Sequence, residues 1–128
     1  MTEPLFLLDS NICIYLLEGQ SDAARDRLQS YAPGEVVTSA IVFVEVMRGV
    51  DGSNARAVQS AGRFFQVIEP LPFDQAAAEA YLRIPFRRGR FDRLIAAHAM
   101  AFDLTIVTAN EADFADVPGL RIENWIRA

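Results

Sequence analysis

Apolar runs along this chain are short and end abruptly. Residues 5–8 are four apolar positions in a row, with Pro4 before them and Asp9, Ser10 and Asn11 after them. A run of that length between breakers suits a strand buried on both faces, as in the middle of a parallel sheet. Asp9 then stands at the strand's carboxyl end, where open α/β sheets gather their chemistry. Behind it, Ile12, Tyr15 and Leu16 have helical spacing, with Ser10 or Asn11 as the cap and Gly19 as the stop. Residues 22–31 read as an amphipathic helix with Ala23, Leu28 and Tyr31 inward, closed by Pro33-Gly34. Val36-Val37 is a second strand, and Thr38-Ser39 caps a helix over residues 40–49. That helix is apolar from Ala40 to Met47 except at Glu45, a pattern that predicts burial nearly all round.

A turn over residues 49–54 leads to a helix over residues 55–65, and Val67-Ile68 is a third strand terminated by Pro70 and Pro72. Asp74 caps a helix through Ala76, Ala80, Tyr81 and Ile84, which Pro85 interrupts. Further on, Leu94, Ile95, His98 and Phe102 trace a helical face, interleaved with alanines that permit close packing on a sheet. Residues 105–107 make a fourth strand, and residues 120–122 a last short one after Pro118-Gly119. Strands alternating with helices, without a repeat or a low-complexity linker, predict one α/β domain with a mainly parallel sheet.

The 128 residues are most simply a single domain, long enough to bury a core without disulfide or metal staples. A hydrophobic share of 52% with 23% charged residues argues against disorder. No apolar run approaches the roughly 20 residues of a membrane helix. The amino terminus lacks the basic region and long apolar core of a signal peptide, so a cytoplasmic protein is expected. The single cysteine, Cys13, cannot close an internal disulfide and reads as a small apolar residue on a helix.

A net charge of −5 argues against coating nucleic acid through overall charge, but it leaves room for a local basic patch. All 12 basic residues are arginines, which removes a Schiff-base lysine and a lysine-bearing phosphate loop together. Arg83, Arg87, Arg88, Arg90 and Arg93 crowd around Gly89 and Asp92, just before the alanine-rich helix.

Several polar residues fall where burial is expected. Asp9 ends a buried strand, Glu45 interrupts a buried helix, Asp92 begins another, and Asn110 and Asp113 follow the fourth strand. Each has an ordinary explanation. Asp9 can cap a helix, Glu45 can pair with Arg48, Asp92 can face the helix dipole, and Asn110 and Asp113 can form a turn. His98 reads as a core histidine, and the arginines as a solvated surface. The coincidence of all these acids lifts a functional reading above the separate ones, because an unpaired buried carboxylate costs several kcal/mol in order of magnitude. A divalent cation shared by the acids offsets that cost at once. Magnesium suits it, with manganese as an alternative, because the donors are carboxylate oxygens and histidine and cysteine are scarce. Acids holding such an ion are what metal-assisted phosphodiester hydrolysis requires.

These residues resemble those of the PIN-domain ribonucleases, specifically the VapC-type toxins of bacterial toxin-antitoxin pairs. Leu7-Leu8-Asp9-Ser10-Asn11 resembles the opening strand and first acid, and Glu45 in Val44-Glu45-Val46-Met47-Arg48-Gly49 the second. Phe91-Asp92-Arg93-Leu94-Ile95-Ala96-Ala97-His98-Ala99 is similar to the third-acid helix, the most specific match. Thr105-Ile106-Val107-Thr108-Ala109-Asn110-Glu111-Ala112-Asp113-Phe114 resembles the fourth motif, and Glu123-Asn124-Trp125 the usual carboxyl end.

The resemblance implies a three-layer α/β/α sandwich and a magnesium-dependent endoribonuclease, often a homodimer, inhibited by a cognate VapB-like antitoxin. It implies Asp9, Glu45 and Asp92 as the principal acids, with Asp9 and Asp92 as metal ligands. Asn110 and Asp113 would complete the site. Many relatives have aspartate where this chain has Asn110, so either residue can supply the fourth group. The lead-in to Asp92 is also unusually arginine-rich, which assigns Arg87, Arg88, Arg90 and Arg93 to RNA phosphates or to acidic groups of the antitoxin.

Two other classes compete. An aspartyl-phosphate enzyme also needs an aspartate at a strand end, but its familiar versions add a second aspartate two positions on and a lysine. Here position 11 is Asn and there is no lysine. A PIN-fold binding module without nuclease activity would be signalled by loss of several acids, and the three principal ones are present.

Overall fold

The computed structural model describes residues 2–86 and 91–126. Five strands form one sheet: β1 (Phe6–Leu8), β2 (Val36–Ser39), β3 (Pro70–Leu71), β4 (Thr105–Val107) and β5 (Ile122–Glu123). Every pairing is parallel, and the spatial order is β3-β2-β1-β4-β5. The helices are α1 (Ser10–Glu18), α2 (Asp22–Gln29), α3 (Ala40–Arg48), α4 (Ala55–Val67), α5 (Gln75–Tyr81) and α6 (Phe91–Ala101). A parallel sheet needs a crossover between successive strands; these helices provide it as far as β4, a 3₁₀ turn (Glu111–Phe114) lies between β4 and β5, and the whole forms an α/β/α sandwich.

The strand order places β1 at the centre. The chain builds outward from it through β2 and β3, then returns to its other side with β4 and β5. This reversal is a topological switch point, and the crevice beyond the carboxyl ends of β1 and its neighbours is where such sheets hold ligands. Register brings Leu8 opposite Thr38 on one side and Val107 on the other. Thr38 Oγ1 also donates to the Leu8 carbonyl at 2.7 Å, locking the ends of β1 and β2. Leu7, Leu8, Ile106 and Val107 are completely enclosed, as a strand covered on both faces requires.

Several local expectations differ from the fold, among them the helix through Ile84: α5 ends at Tyr81, short of that residue. The helix after residue 54 runs on through Val67, so Val67-Ile68 is no strand; the third strand is Pro70–Leu71 at the sheet edge, where proline's missing donor is tolerated. Ala24, not Ala23, is the buried alanine of α2, and the last strand is Ile122–Glu123 rather than residues 120–122. Finally, α3 is not buried all round. Val42 and Val46 are enclosed, while Phe43 is 39% and Val44 47% exposed, because a helix lying on a sheet turns only one stripe inward.

Candidate functional site

Asp9 follows β1 with extended backbone geometry (φ −81°, ψ 177°) and caps α1, its Oδ1 accepting from the Ile12 N–H at 3.0 Å. Its own N–H donates to the Val107 carbonyl at 3.0 Å, so the turn is pinned to β4. Asp9, not Ser10 or Asn11, is therefore the cap. The capping reading of this residue holds. Ser10, released from capping, donates its hydroxyl to Glu45 Oε1 at 2.6 Å. That contact ties the first turn of α1 to the middle of α3. Glu45 is half-buried and its partner is Ser10, not the exposed Arg48 one turn on.

Asp9 is only 6% exposed. Burial pushes its carboxyl up from 3.8 to about 6; hydrogen bonds from Thr108 and Ile12 pull the other way, and the nearby Asp92 and Glu45 charges raise it further. Glu45 and Asp92 thus each stand within electrostatic range of Asp9 at the switch point. No arginine among the described residues offsets the Asp9 charge. Asp92, in the first turn of α6, is half-buried.

The two candidates for the fourth position, Asn110 and Asp113, are in contact with each other. Asn110 is exposed at the start of the 3₁₀ turn Glu111–Phe114, and its Nδ2 donates to Asp113 Oδ2 at 2.8 Å. The Asn110 N–H donates to Thr108 Oγ1 at 3.0 Å, which links this turn back to Asp9 through the Thr108 hydroxyl.

Among the described residues, no three acidic, histidine or cysteine side chains stand together as a group that could hold a metal ion. A hard octahedral ion such as magnesium needs fewer: it is usually held by one or two carboxylates with water and substrate phosphate completing the shell. The donor set at the switch point has that chemistry, with oxygen donors only and a desolvated carboxylate short of positive charge. Softer donors face elsewhere. Cys13 is fully enclosed and burial keeps its thiol protonated. His98 is also fully enclosed, its Nδ1 2.7 Å from Ser39 Oγ and its ring packed against Phe73 and Phe102. Both match their expected core roles.

The arginine assignment divides. Arg87, Arg88 and Arg90 lie outside the described residues. Arg93 does not face a phosphate: it is 2% exposed, and its Nη2 donates to Asp116 Oδ1 at 2.7 Å and to the Asp113 carbonyl at 3.3 Å. Its position on α6, one residue past Asp92, turns it inward. Sequence reasoning missed Ser10, Thr108 and Asp116. Ser10 and Thr108 lie beside the motif acids, at the ends of β1 and β4, so a strand-end rule would have found them. Asp116 carries no local signal.

A family model described as PIN domain matches residues 6–120. The chain is 33% identical to the tRNA(fMet)-specific endonuclease VapC of Shigella flexneri, over 94% of this chain and 97% of that protein. Its fold is similar to a chain of DNA-bound VapBC from Salmonella typhimurium, with a TM-score of 0.86 at 28% identity, covering 95% of this chain and 98% of that one. It is similarly close to a chain of VapBC2 from Rickettsia felis bound to a promoter DNA fragment, with a TM-score of 0.84 at 27% identity, covering 94% and 98%. Motif order, sheet topology and sequence identity agree, and the chain belongs to the PIN-domain family.

Proposed function

We infer that this chain is an endoribonuclease, the toxin of a toxin-antitoxin pair, and that its cleavage of RNA phosphodiesters depends on magnesium or manganese. The observation that carries the metal requirement is the Asp9 carboxylate: buried at the switch point, flanked by Glu45 and Asp92, and lacking a described cation. Asp9 and Asp92 would hold the ion. When bound, it supplies Lewis acidity toward the phosphodiester and the attacking water.

The remaining work falls to the chain itself. The α1 amide at Ile12 and the Thr108 hydroxyl fix the Asp9 carboxylate in one orientation. Ser10 occupies one Glu45 oxygen and leaves the other to orient water. Asn110 and Asp113 close the opposite flank as a hydrogen-bonded pair. Contact with RNA phosphates is assigned to Arg87, Arg88 and Arg90 on charge alone, since a chain of net charge −5 needs a local cationic stretch to hold a polyanion. The partner is a cognate VapB-like antitoxin, in line with the VapBC complexes its fold resembles. Initiator tRNA is the first substrate to try, given the name of the Shigella relative.

The test is incubation of purified protein with a panel of RNAs, initiator tRNA included, with magnesium and with chelator. Cleavage is expected with magnesium only, and Asp92→Asn is expected to abolish it while circular dichroism stays unchanged. Undiminished cleavage by that variant would sink the site assignment; cleavage that survives chelation would sink the metal requirement.

A further inference from the structure

Arg93, next to Asp92 on α6, is bonded to the segment that follows β4. Its guanidinium reaches Asp116 Oδ1 at 2.7 Å and the Asp113 carbonyl at 3.3 Å, so one group on α6 grips the segment after β4 at two points. That segment is also held from its near end. Thr108 bonds Asp9, the Asn110 N–H bonds Thr108, and the Asp113 N–H bonds the Asn110 carbonyl at 3.2 Å. Asp113 is thus fixed within a chain of contacts that begins at Asp9 and ends at Arg93.

Arg93 is an expensive way to make a purely structural contact. Its Nε and Nη1 are buried without a hydrogen-bond partner. A packed apolar side chain would avoid desolvating a cation, and buried ion pairs are often no more stabilising than such a replacement. What an apolar residue cannot supply is a charged donor such as Nη2, which here reaches a carboxylate and a backbone carbonyl together.

We propose that Arg93 is a positioning residue that sets where Asp113 stands relative to Asp92. Because Asp92 and Arg93 are consecutive on one helix, the third acid and the clamp on Asp113 move as one unit. The inference rests on the nuclease reading above.

Three variants of the full chain test it: Arg93→Met, Arg93→Lys and Asp116→Asn. The measurements are kcat and KM on one RNA, together with hydrogen exchange at the amides of residues 111–114. Arg93→Met is expected to lower kcat by about tenfold or more with KM unchanged, since small misplacements of a reacting group carry penalties of that order or larger. Asp116→Asn should lower kcat less, Arg93→Lys should recover part of the loss, and exchange at residues 111–114 should quicken while sheet amides keep wild-type rates. A raised KM with kcat retained would make Arg93 a phosphate contact and overturn the proposal. So would wild-type kcat in a folded Asp116→Asn protein whose 111–114 amides exchange faster. If Arg93→Met fails to fold, the other two variants decide. Absence of cleavage by the wild-type protein overturns the nuclease reading itself, and the exchange rates then decide the clamp alone.

Discussion

Asp9 and Arg93 are both buried, and the fold treats their charges differently. Arg93 is given an ionic partner by its own chain, Asp116 at 2.7 Å, and a backbone carbonyl besides. Among the described residues, Asp9 is given only neutral donors, the Ile12 amide and the Thr108 hydroxyl, and two further acids nearby. A charge matched internally has little left to offer a ligand, whereas a desolvated charge without a counter-ion is a standing demand for one. The contrast separates a charge matched within the chain from one that, on the function proposed above, a metal ion would match.

The largest effect that could break this contrast is on activity and stability together. Asp9→Asn keeps a competent helix cap and removes the charge, so RNA cleavage should be lost while the metal-free protein becomes more stable at neutral pH. The folded pKa of Asp9, about 6, lies above its unfolded value of 3.8, so the carboxyl contributes stability fully below pH 3.8 and loses it as pH rises through 6. The two-unit difference corresponds to about 3 kcal/mol in order of magnitude. Denaturant titrations should therefore show Asp9→Asn more stable than wild type at pH 7.5 and the gap closing near pH 4. A magnesium-dependent rise in stability should appear in the wild type alone. A variant less stable than wild type at pH 7.5 would mean that Asp9 is not electrostatically strained.

Asp116→Ala probes the matched charge and should be destabilising throughout. Removing the partner leaves a guanidinium enclosed without its ion pair, at a cost of about 3 kcal/mol. Arg93→Met should cost less, because the Asp116 side chain left behind is 35% exposed and can be hydrated. Equal losses in thermal unfolding would contradict the asymmetry.

The smallest effect belongs to His98. Burial lowers its pKa below 6.5, and Asp74 and the Pro72 carbonyl offset only part of that. Its contribution to stability is therefore present above pH 6.5 and is lost as pH falls through the folded value. Acidification acts on Asp9 and His98 in opposite senses. His98→Gln should make the gain on acidification from pH 7 to 5 steeper than in wild type; an identical pH profile would remove His98 from the balance.

Much of the site was legible because its acids fall at positions where local pattern and burial disagree. Asp9 ends an apolar strand and Glu45 breaks an apolar helix, and both conflicts can be seen without coordinates. Arg93 shows the opposite case. Beside Arg87, Arg88, Arg90 and Asp92 it looks like one more surface cation, and only the direction in which α6 turns it reveals burial. Its partner Asp116 sits 23 residues away on a loop that no periodicity links to α6. The third strand was misplaced for a related reason. Val67-Ile68 has strand composition, but α4 carries its hydrogen bonding through Val67, with the Ile68 N–H still bonded to the Phe64 carbonyl at 2.8 Å.

By itself the sequence determined the α/β alternation, the buried central strand and which acids stand out as candidates, since apolar runs, breakers and misplaced carboxylates are local properties. Only the tertiary structure decided that β1 lies at the switch point, that Ser10 and Thr108 serve Glu45 and Asp9, and that Arg93 faces inward to Asp116. These depend on strand order and helix rotation, which are set by packing between segments distant in the chain.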